Sequence, residues 1–438
     1  MSSGYETEPT HRAAERTALV ALVSGDAPRR VVEEHLEELG RLVDTAGGAV
    51  AVREIQERPA PDPATVVGAG FLERLAERCR DERIEVVVFD EDLTASQVRN
   101  IERALPAAVK ILDRAAVILD IFAQRARSRE AQTQVELAQL SYLLPRLTRR
   151  WRHLSRQAGG IGTRGVGETQ LEIDRRLISR RIAQLRDKLQ AIERDRRHRR
   201  QGRSELPAIA LVGYTNAGKS SLFRALTRSE VLVEDRLFAT LDPRARRVAL
   251  GDGVIAILTD TVGFIRKLPH HLVAPFRSTL EEATEADLVL HVVDVAHPSW
   301  EEQLEVGDEV LEGLGVERER TLVVLNKIDL LPAHRPAWLP AGRESVAVSA
   351  TAGQGLDELR RVARRTLLAA PGVTFLSIPL DQADAVQRAV RLPHRLAQRF
   401  GGSTLELAMR VDGRQLSEAD LDPFRVAGWT SSEPGGGA

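Results

Sequence analysis

Eight consecutive residues in the middle of the chain have the spacing of a phosphate-binding loop, Gly-x-x-x-x-Gly-Lys-Ser. They are Gly213-Tyr214-Thr215-Asn216-Ala217-Gly218-Lys219-Ser220, followed by Ser221, and they come directly after the apolar run 208–212. In such a loop, successive backbone N–H groups and the N-terminus of the next helix attract phosphate oxygens. Lys219 would reach the β- and γ-phosphates, and the Ser220 hydroxyl would ligate Mg²⁺. The pattern predicts a nucleoside triphosphate site.

The use of lysine at two positions strengthens this prediction. The chain has five lysines against 57 arginines, and two of the five are Lys219 and Lys327. Arginine presents a planar fork, whereas lysine presents a slim point charge on a flexible stem. A lysine kept in such an arginine-rich chain indicates a site that requires the slimmer cation.

Two later segments supply groups that would sense the γ-phosphate. Thr240 lies in Phe238-Ala239-Thr240-Leu241-Asp242, from which its hydroxyl could reach Mg²⁺ and its N–H the γ-phosphate. The apolar run 254–259 ends at Asp260-Thr261-Val262-Gly263. Asp260 suits a direct or indirect role at Mg²⁺, and Gly263 can bring its N–H close to the γ-phosphate, where a side chain would clash. We expect Lys219, Thr240 and Gly263 to act in catalysis.

A fourth segment predicts that the base is guanine. Asn326-Lys327-Ile328-Asp329 follows the apolar run 322–325. The Asp329 carboxylate can accept hydrogen bonds from N1–H and the exocyclic amino group of guanine, and adenine does not offer this pair. Lys327 would lay its stem along the base plane, and Val348-Ser349-Ala350 would offer a backbone contact to the guanine carbonyl. In this order, the segments predict a domain that binds GTP and GDP and hydrolyses GTP.

One position departs from the pattern of Ras-like enzymes. Phe264 follows Gly263, where those enzymes place the glutamine that orients the attacking water. We therefore expect slow intrinsic hydrolysis that a partner or a cation accelerates. Asn216 resembles the asparagine with which some GTPases bind K⁺, so K⁺ is a candidate cofactor besides Mg²⁺.

The elements that must position these residues follow from the alternation of apolar runs with helical patterns. Residues 206–370 alternate as a doubly wound, mostly parallel sheet would, and predict a central P-loop GTPase domain. Its strands are expected at 208–212, 246–250, 254–259, 287–294, 321–326 and 345–349. Residues 17–127 predict a separate α/β domain, with strands at 17–23, 48–54 and 86–89 and helices near 31–45 and 71–80.

The remaining segments are expected to be a disordered N-terminus, a helical hairpin and a small α+β C-terminal domain. The first covers residues 1–16, and the antiparallel hairpin covers 128–204. The C-terminal domain with its flexible tail covers 372–438, and residues 372–411 are expected to form strand, helix and strand. The length of 438 residues suits about three domains.

The predicted hairpin is strongly basic. From Pro145 to Arg203 there are 18 Arg and Lys against 6 Asp and Glu, a net of +12 in a chain whose net charge is −1. The residues from Leu171 to Ile192 have the apolar spacing of a heptad seam. The loop at the tip is rich in glycine, and its candidate RNA contacts are Gly159, Gly160, Arg164, Gly165 and Gly167. A basic module on an otherwise acidic chain predicts a polyanionic partner, most often nucleic acid, and the alternative is a solvated helical face. For the glycine-rich loop, the alternative to a ligand contact is a flexible hinge.

Outside the GTPase segments, the sequence resembles the HflX family of ribosome-associated GTPases, in the Obg-HflX-like group of the TRAFAC class. The matching residues are Ala123-Gln124-Arg125-Ala126, Gln134 to Leu140, Pro145-Arg146-Leu147, Gly159 to Glu168, Asp174-Arg175-Arg176, Val67 to Gly70 and Gln97 to Asn100. The resemblance implies the same three-part architecture, binding to the large ribosomal subunit and splitting of stalled ribosomes. It also implies that the hairpin loop points toward the peptidyl-transferase region. Val166 replaces the family's usual proline, and Gly68 to Gly70 lacks the lysine often found beside it.

Three functions are consistent with these observations. The favoured one is a GTPase that splits or rescues stalled ribosomes, and the others are a GTPase of large-subunit assembly and an RNA-binding module with a structural nucleotide. We expect a monomer with no DNA partner, in the cytoplasm, with peripheral membrane association as an alternative. The N-terminus is polar and no apolar run approaches 18 residues, so neither a signal peptide nor a membrane span is expected. The single cysteine, Cys79, excludes an internal disulfide.

Overall fold

A computed structural model describes residues 14–25, 28–147, 170–201, 206–228, 237–238, 244–266, 282–332 and 343–428. The chain divides into two compact units, and the division falls between Asp187 and Lys188, inside one long helix. The predicted limits of the hairpin, 128–204, do not coincide with this division and remain a prediction.

The first unit contains a four-stranded parallel sheet with the strand order β2-β1-β3-β4. Its strands are β1 (Arg16–Val23), β2 (Ala49–Glu57), β3 (Val86–Phe89) and β4 (Lys110–Asp113). Four helices alternate with or follow them: α1 (Arg29–Ala46), α2 (Ala69–Asp81), α3 (Ala95–Ala104) and α4 (Arg114–Arg125). Residues 17–22 of β1 are all buried, as expected for a parallel strand covered on both faces. The predicted strands and helices of this segment are present, and the structure adds β4, α3 and α4.

Two further helices follow, α5 (Arg129–Leu143) and α6 (Gln170–Gln201), with a 3₁₀ turn at Leu144–Arg146. Arg181 of α6 forms two hydrogen bonds, of 2.7 and 2.9 Å, with the Glu136 carboxylate of α5. On α6, Ile182 and Leu185 of the expected heptad seam are buried. These contacts pack α6 against α5, and the antiparallel hairpin remains a prediction.

Hydrogen bonds fix the end of α5 on the first sheet. Asp113, the last residue of β4, accepts a 2.8 Å bond from the Tyr142 hydroxyl and a 3.0 Å bond from Arg146. Nearby, Arg114 donates to Asp90 at 2.7 Å, and both residues are 1% exposed. Because buried charges are tolerated when they are paired, this cluster holds the strand ends and α5 together.

The second unit is built on the predicted parallel sheet. Its strands are β5 (Ala208–Gly213), β6 (Arg244–Gly251), β7 (Val254–Asp260), β8 (Leu288–Asp294), β9 (Thr321–Asn326) and β10 (Ser345–Ala347). The order β10-β9-β8-β5-β7 is parallel throughout, and β6 adds to β7 in antiparallel fashion. The described helices of this part are α7 (Lys219–Thr227), α8 (Trp300–Gly313) and α9 (Leu356–Leu368). The α/β class with a parallel sheet is confirmed.

The C-terminal part contains more elements than the predicted strand, helix and strand. They are β11 (Val373–Pro379), α10 (Ala383–Arg391), β12 (Arg395–Gly401), β13 (Thr404–Arg410), α11 (Gly413–Glu418) and β14 (Arg425–Val426). The strands are antiparallel, and Ala397 of β12 pairs with Val254 of β7, so these strands continue the larger sheet. In the part of the chain that is described, no helix has the length and apolar character needed to cross a membrane.

Candidate functional site

The predicted phosphate loop connects β5 to α7. At Gly213, φ is 140°, and a Cβ there would lie 2.1 Å from the carbonyl oxygen of Val292 in β8. At Gly218, φ is 92°, and a Cβ would lie 2.2 Å from Asn326 Nδ2. Any other residue would be strained and would clash at both positions, so glycine is what brings the loop backbone against β8 and β9.

Lys219, the first residue of α7, folds back onto the loop. Its ammonium donates hydrogen bonds to the carbonyl oxygens of Gly213 at 3.0 Å and Tyr214 at 2.8 Å. Burial lowers the pKa of Lys219 to about 8, and the charge of Asp260 partly opposes this shift. An anion beside this buried ammonium would stabilise its charged form, so Lys219 is suited to bind phosphate.

Ser220 and Asp260 form the second part of the site. The Ser220 hydroxyl donates a 2.8 Å hydrogen bond to Asp260 Oδ2, and Asp260 is fully buried at the end of β7. A hydroxyl and a carboxylate are oxygen donors of the kind that Mg²⁺ prefers. Among the described residues, no three His, Cys, Asp or Glu side chains are grouped so that they could hold a metal. A Mg²⁺ ion here would complete its coordination with phosphate oxygens and water, as it commonly does.

The segment after β7 is hydrogen bonded to the phosphate loop. The Phe264 N–H donates to the Gly213 carbonyl at 2.9 Å, and the Thr215 N–H donates to the Phe264 carbonyl at 2.7 Å. A Cβ on Gly263 would lie 2.9 Å from both Lys219 Nζ and Thr215 Cα. Gly263 therefore lies against the loop and its lysine, and the contact of its N–H with the γ-phosphate remains a prediction.

The side chain of Phe264 is part of the core and is 3% exposed. Its ring meets that of His291 in β8 edge to face, with 6.3 Å between centroids. His291 is fully buried, and its Nδ1 lies 3.2 Å from Asp308 Oδ1. Burial lowers the pKa of His291, so its ring is neutral at pH 7. Phe264 therefore stabilises the segment that carries Gly263, and it cannot orient a water as glutamine would.

Asn326, at the end of β9, joins the phosphate loop to the loop that holds Val348, Ser349 and Ala350. Its Nδ2 donates to the Ala217 carbonyl at 2.9 Å, and its Oδ1 accepts from the Ala350 N–H at 3.1 Å. Asn326 is 1% exposed and Ser349 is fully buried. These bonds bring three of the predicted segments together.

Lys327 and Asp329 follow on an exposed turn. Lys327 has φ of 66°, and its ammonium lies 2.7 Å from Oδ2 of Asp294, the last residue of β8. Asp329 is exposed on the 3₁₀ turn Ile328–Leu330. No motif in the sequence pointed to Asp294. An aspartate at the carboxyl end of a strand beside the predicted base-binding strand is the signal that could have found it.

The phosphate loop, residues 260–263 and Asn326 come together at the carboxyl ends of β5, β7 and β9, where open α/β sheets bind ligands. Thr261 and Val262 are buried in the segment before Gly263, and Phe238 is buried with φ of 54°. Other predicted residues lie outside the described ranges, and their roles remain predictions. They are Ala239, Thr240, Leu241 and Asp242, and the tip residues Gly159, Gly160, Arg164, Gly165 and Gly167.

Three family models match consecutive parts of the chain. The family described as GTP-binding GTPase N-terminal matches residues 33–123, and the family described as GTP-binding GTPase Middle Region matches residues 125–203. The family described as 50S ribosome-binding GTPase matches residues 208–327, which include the phosphate loop and Asn326. The three matches together follow the order of the segments found in the sequence.

Individual proteins give the same result. The chain is 44% identical to the GTPase HflX of Magnetococcus marinus over 95% of this chain and 98% of that protein. It is 43% identical to the GTPase HflX of Escherichia coli over 88% of this chain and 92% of that protein. A crystal structure of a GTP-binding protein from Sulfolobus solfataricus with GDP is 26% identical, with a TM-score of 0.42 over 81% of this chain and 98% of that chain, a likeness too loose to inform the site. With identities above 40% along nearly its whole length, the chain belongs to the HflX family of GTPases.

Proposed function

We propose that this GTPase binds GTP and GDP through residues 213–220, 260–263, 326–329 and 348–350. The observation that carries the proposal is the close approach of Gly263 to the lysine of the phosphate loop. A Cβ built on Gly263 would lie only 2.9 Å from Lys219 Nζ. Beside them, Ser220 and Asp260 offer a hydroxyl and a carboxylate 2.8 Å apart. A cation, a backbone cradle and hard oxygen donors are the groups that phosphoryl transfer from a nucleotide requires.

The chemistry follows from these groups. Lys219 exchanges the loop carbonyls for the β- and γ-phosphates of the bound nucleotide, and the Gly263 N–H donates to a γ-phosphate oxygen. Ser220 and Asp260 would hold Mg²⁺, which neutralises part of the negative charge that develops on the phosphates. Water attacks the γ-phosphorus, the bond to the β–γ bridging oxygen breaks, and GDP and phosphate are released. Thr240 is proposed to add its hydroxyl and N–H in the triphosphate state.

Two substitutions test the nucleotide assignment. Lys219→Ala should abolish measurable GTP binding, because it removes the buried cation at the phosphate loop. Asp329→Asn should move base preference from guanine toward xanthine, because an amide can donate to the xanthine oxygen that replaces the guanine amino group. Binding of labelled GTP and XTP measures both effects, and wild-type GTP affinity in the Lys219→Ala variant would defeat the assignment.

A monovalent cation is proposed to assist hydrolysis through Asn216. Asn216 is exposed on the phosphate loop with φ of 62°, so its side chain is accessible where the nucleotide would lie. A cation there would neutralise charge between the phosphates, as an arginine finger does in other GTPases. Hydrolysis should be faster in KCl than in NaCl, and Asn216→Ala should lose this difference. Equal rates in the two salts would exclude the cation.

The proposed partner is the large ribosomal subunit, which the GTP-bound protein would join in order to split or rescue stalled ribosomes. This partner is supported by the match of residues 208–327 to the 50S ribosome-binding GTPase family and by the basic charge of residues 145–203. Several cationic residues of α6 are exposed and could approach RNA phosphates: Arg175, Arg176, Arg180, Arg186 and Lys188. Phosphate contacts of this kind make RNA affinity strongly dependent on salt.

Co-sedimentation with purified subunits tests the partner. A double charge reversal, Arg175→Glu with Arg180→Glu, should weaken binding to large subunits and lower the slope of log affinity against log salt by about one to two. Arg80→Glu, on the exposed surface of α2, is the matched control and should leave binding unchanged. Equal affinity of the double variant and the parent would remove α6 from the interface. Preference for small subunits would contradict the proposed partner.

A further inference from the structure

Thr215 carries a buried hydroxyl within the phosphate loop. The residue is 7% exposed, and its Oγ1 has no hydrogen-bond partner among the residues that the structure describes. Its backbone is fixed by the 2.7 Å bond from its N–H to the Phe264 carbonyl. A buried hydroxyl without a partner has lost the hydrogen bonds that it makes in water, so its presence in a native fold calls for a functional explanation.

The side chain of Thr215 lies close to Lys219 and Gly263, the two residues proposed to bind the γ-phosphate. A Cβ placed on Gly263 would stand 2.9 Å from Thr215 Cγ2, and the same point is 2.9 Å from Lys219 Nζ. A rotation of about 120° about the Cα–Cβ bond moves Oγ1 to the position that Cγ2 now holds, so a change of rotamer turns the hydroxyl toward Gly263. Within the described residues, no hydrogen bond to Oγ1 resists this rotation.

Because Phe264 replaces the glutamine of Ras-like enzymes, the side chain that usually orients the attacking water is missing. Its ring is 3% exposed and packs against His291, so no polar group of Phe264 faces the nucleotide. Thr215 carries a hydroxyl, and its backbone N–H is hydrogen bonded to the Phe264 carbonyl. Phe264, which stands in place of glutamine, and the Thr215 hydroxyl, which is unpaired within the described part of the chain, are therefore neighbours.

We propose that Thr215 Oγ1 orients the attacking water in GTP hydrolysis, an inference that rests on the nucleotide site proposed above. Oγ1 accepts a hydrogen bond from the water, whose lone pair then points at the γ-phosphorus. The water oxygen bonds to phosphorus while the bond to the β–γ bridging oxygen breaks. GDP leaves with that electron pair, and a proton of the water ends on an oxygen of the released phosphate.

Two variants separate the hydroxyl from the rest of the side chain. Thr215→Val keeps the shape and branching of threonine without the hydroxyl, and Thr215→Ser keeps the hydroxyl without the methyl group. In single-turnover hydrolysis at saturating GTP and matched K⁺, Thr215→Val should be slower by about tenfold to a hundredfold, as when one positioned catalytic group is removed. Its affinity for GDP should stay within about twofold of the parent, and Thr215→Ser should recover most of the rate.

Each result bears on the proposal. Equal single-turnover rates in the parent and in Thr215→Val would overturn it. Equal loss in the valine and serine variants would also overturn it, because packing of the methyl group would then explain the effect. A wrong assignment of the nucleotide site would be recognised separately. In that case the Lys219→Ala variant would still bind GTP, independently of the rates of the Thr215 variants.

Discussion

The ion pair between Lys327 and Asp294 leads to a quantitative prediction for GDP release. The two charged atoms are 2.7 Å apart, and the side chains are 25% and 15% exposed. Asp294 Oδ1 also accepts a 3.1 Å bond from the Ala296 N–H, which ties it to the turn after β8. Asp294→Asn keeps an oxygen for Ala296 and removes the charge that holds the lysine. If the Lys327 stem packs along guanine, this substitution should loosen the nucleotide.

The size of the effect follows from the partial exposure of the pair. Hydrogen bonds to charged groups contribute about 1.5–3 kcal/mol, whereas exposed ion pairs contribute about 0–1 kcal/mol. Because the pair is intermediate in exposure, we take about 1 kcal/mol for its contribution to nucleotide binding. That energy corresponds to about a fivefold change in an equilibrium constant, and we expect it to be expressed in the dissociation rate of GDP.

Stopped-flow release of fluorescent GDP, at fixed Mg²⁺ concentration, measures this rate. The control is a double-mutant cycle with Lys327→Met, in which Asp294→Asn should cause no further acceleration. A dissociation rate unchanged by Asp294→Asn would refute the reasoning. The same acceleration in the presence and absence of Lys327 would refute it as well, because Asp294 would then act through the turn.

Three further predictions concern buried groups of the same unit. Asn326→Ala removes the hydrogen bonds to Ala217 and Ala350 and should lower the free energy of unfolding by about 2 kcal/mol. A loss below about 0.5 kcal/mol, measured by denaturant unfolding, would contradict this prediction. Phosphates should raise the pKa of Lys219 from about 8, so binding of GDP at pH 8 takes up protons and affinity falls as pH rises further. Calorimetry in two buffers of different ionisation enthalpy measures this uptake, and its absence would be inconsistent with phosphate at Lys219. Because burial lowers the pKa of His291, stability should fall below pH 6.5 more steeply in the parent than in His291→Gln, as thermal unfolding at pH 7 and pH 5.5 would reveal.

The proposed nucleotide site has the most predictable local structure in the chain, because the requirements of a phosphate loop are local. Gly213 and Gly218 are needed for backbone angles and close approach, and the lysine and serine follow at fixed spacing. The apolar runs before each motif became β5, β7 and β9 because a parallel strand covered on both faces is apolar along its length. Sequence order alone was therefore enough to place these segments at one edge of a sheet.

Contacts between distant residues could not be predicted in this way. Lys327 and Asp294 are 33 positions apart, and they meet only because β8 and β9 are neighbours in register. The sequence showed that Phe264 replaces glutamine, but its packing on His291 depends on the same strand order. The sequence predicted one strand after the helix in residues 372–411, where the structure has both β12 and β13. Arg395–Gly401 of β12 holds a mixture of charged and small residues, and its partners β13 and β7 decide its conformation.

We propose that the large ribosomal subunit raises the GTPase activity of this protein. The most direct test is GTP hydrolysis by the full chain with and without purified large subunits, at matched K⁺ and Mg²⁺, with small subunits and the Lys219→Ala variant as controls. We predict that large subunits raise turnover by at least about tenfold, because an activator in trans can supply what Phe264 does not. The same slow turnover with and without large subunits would contradict the account.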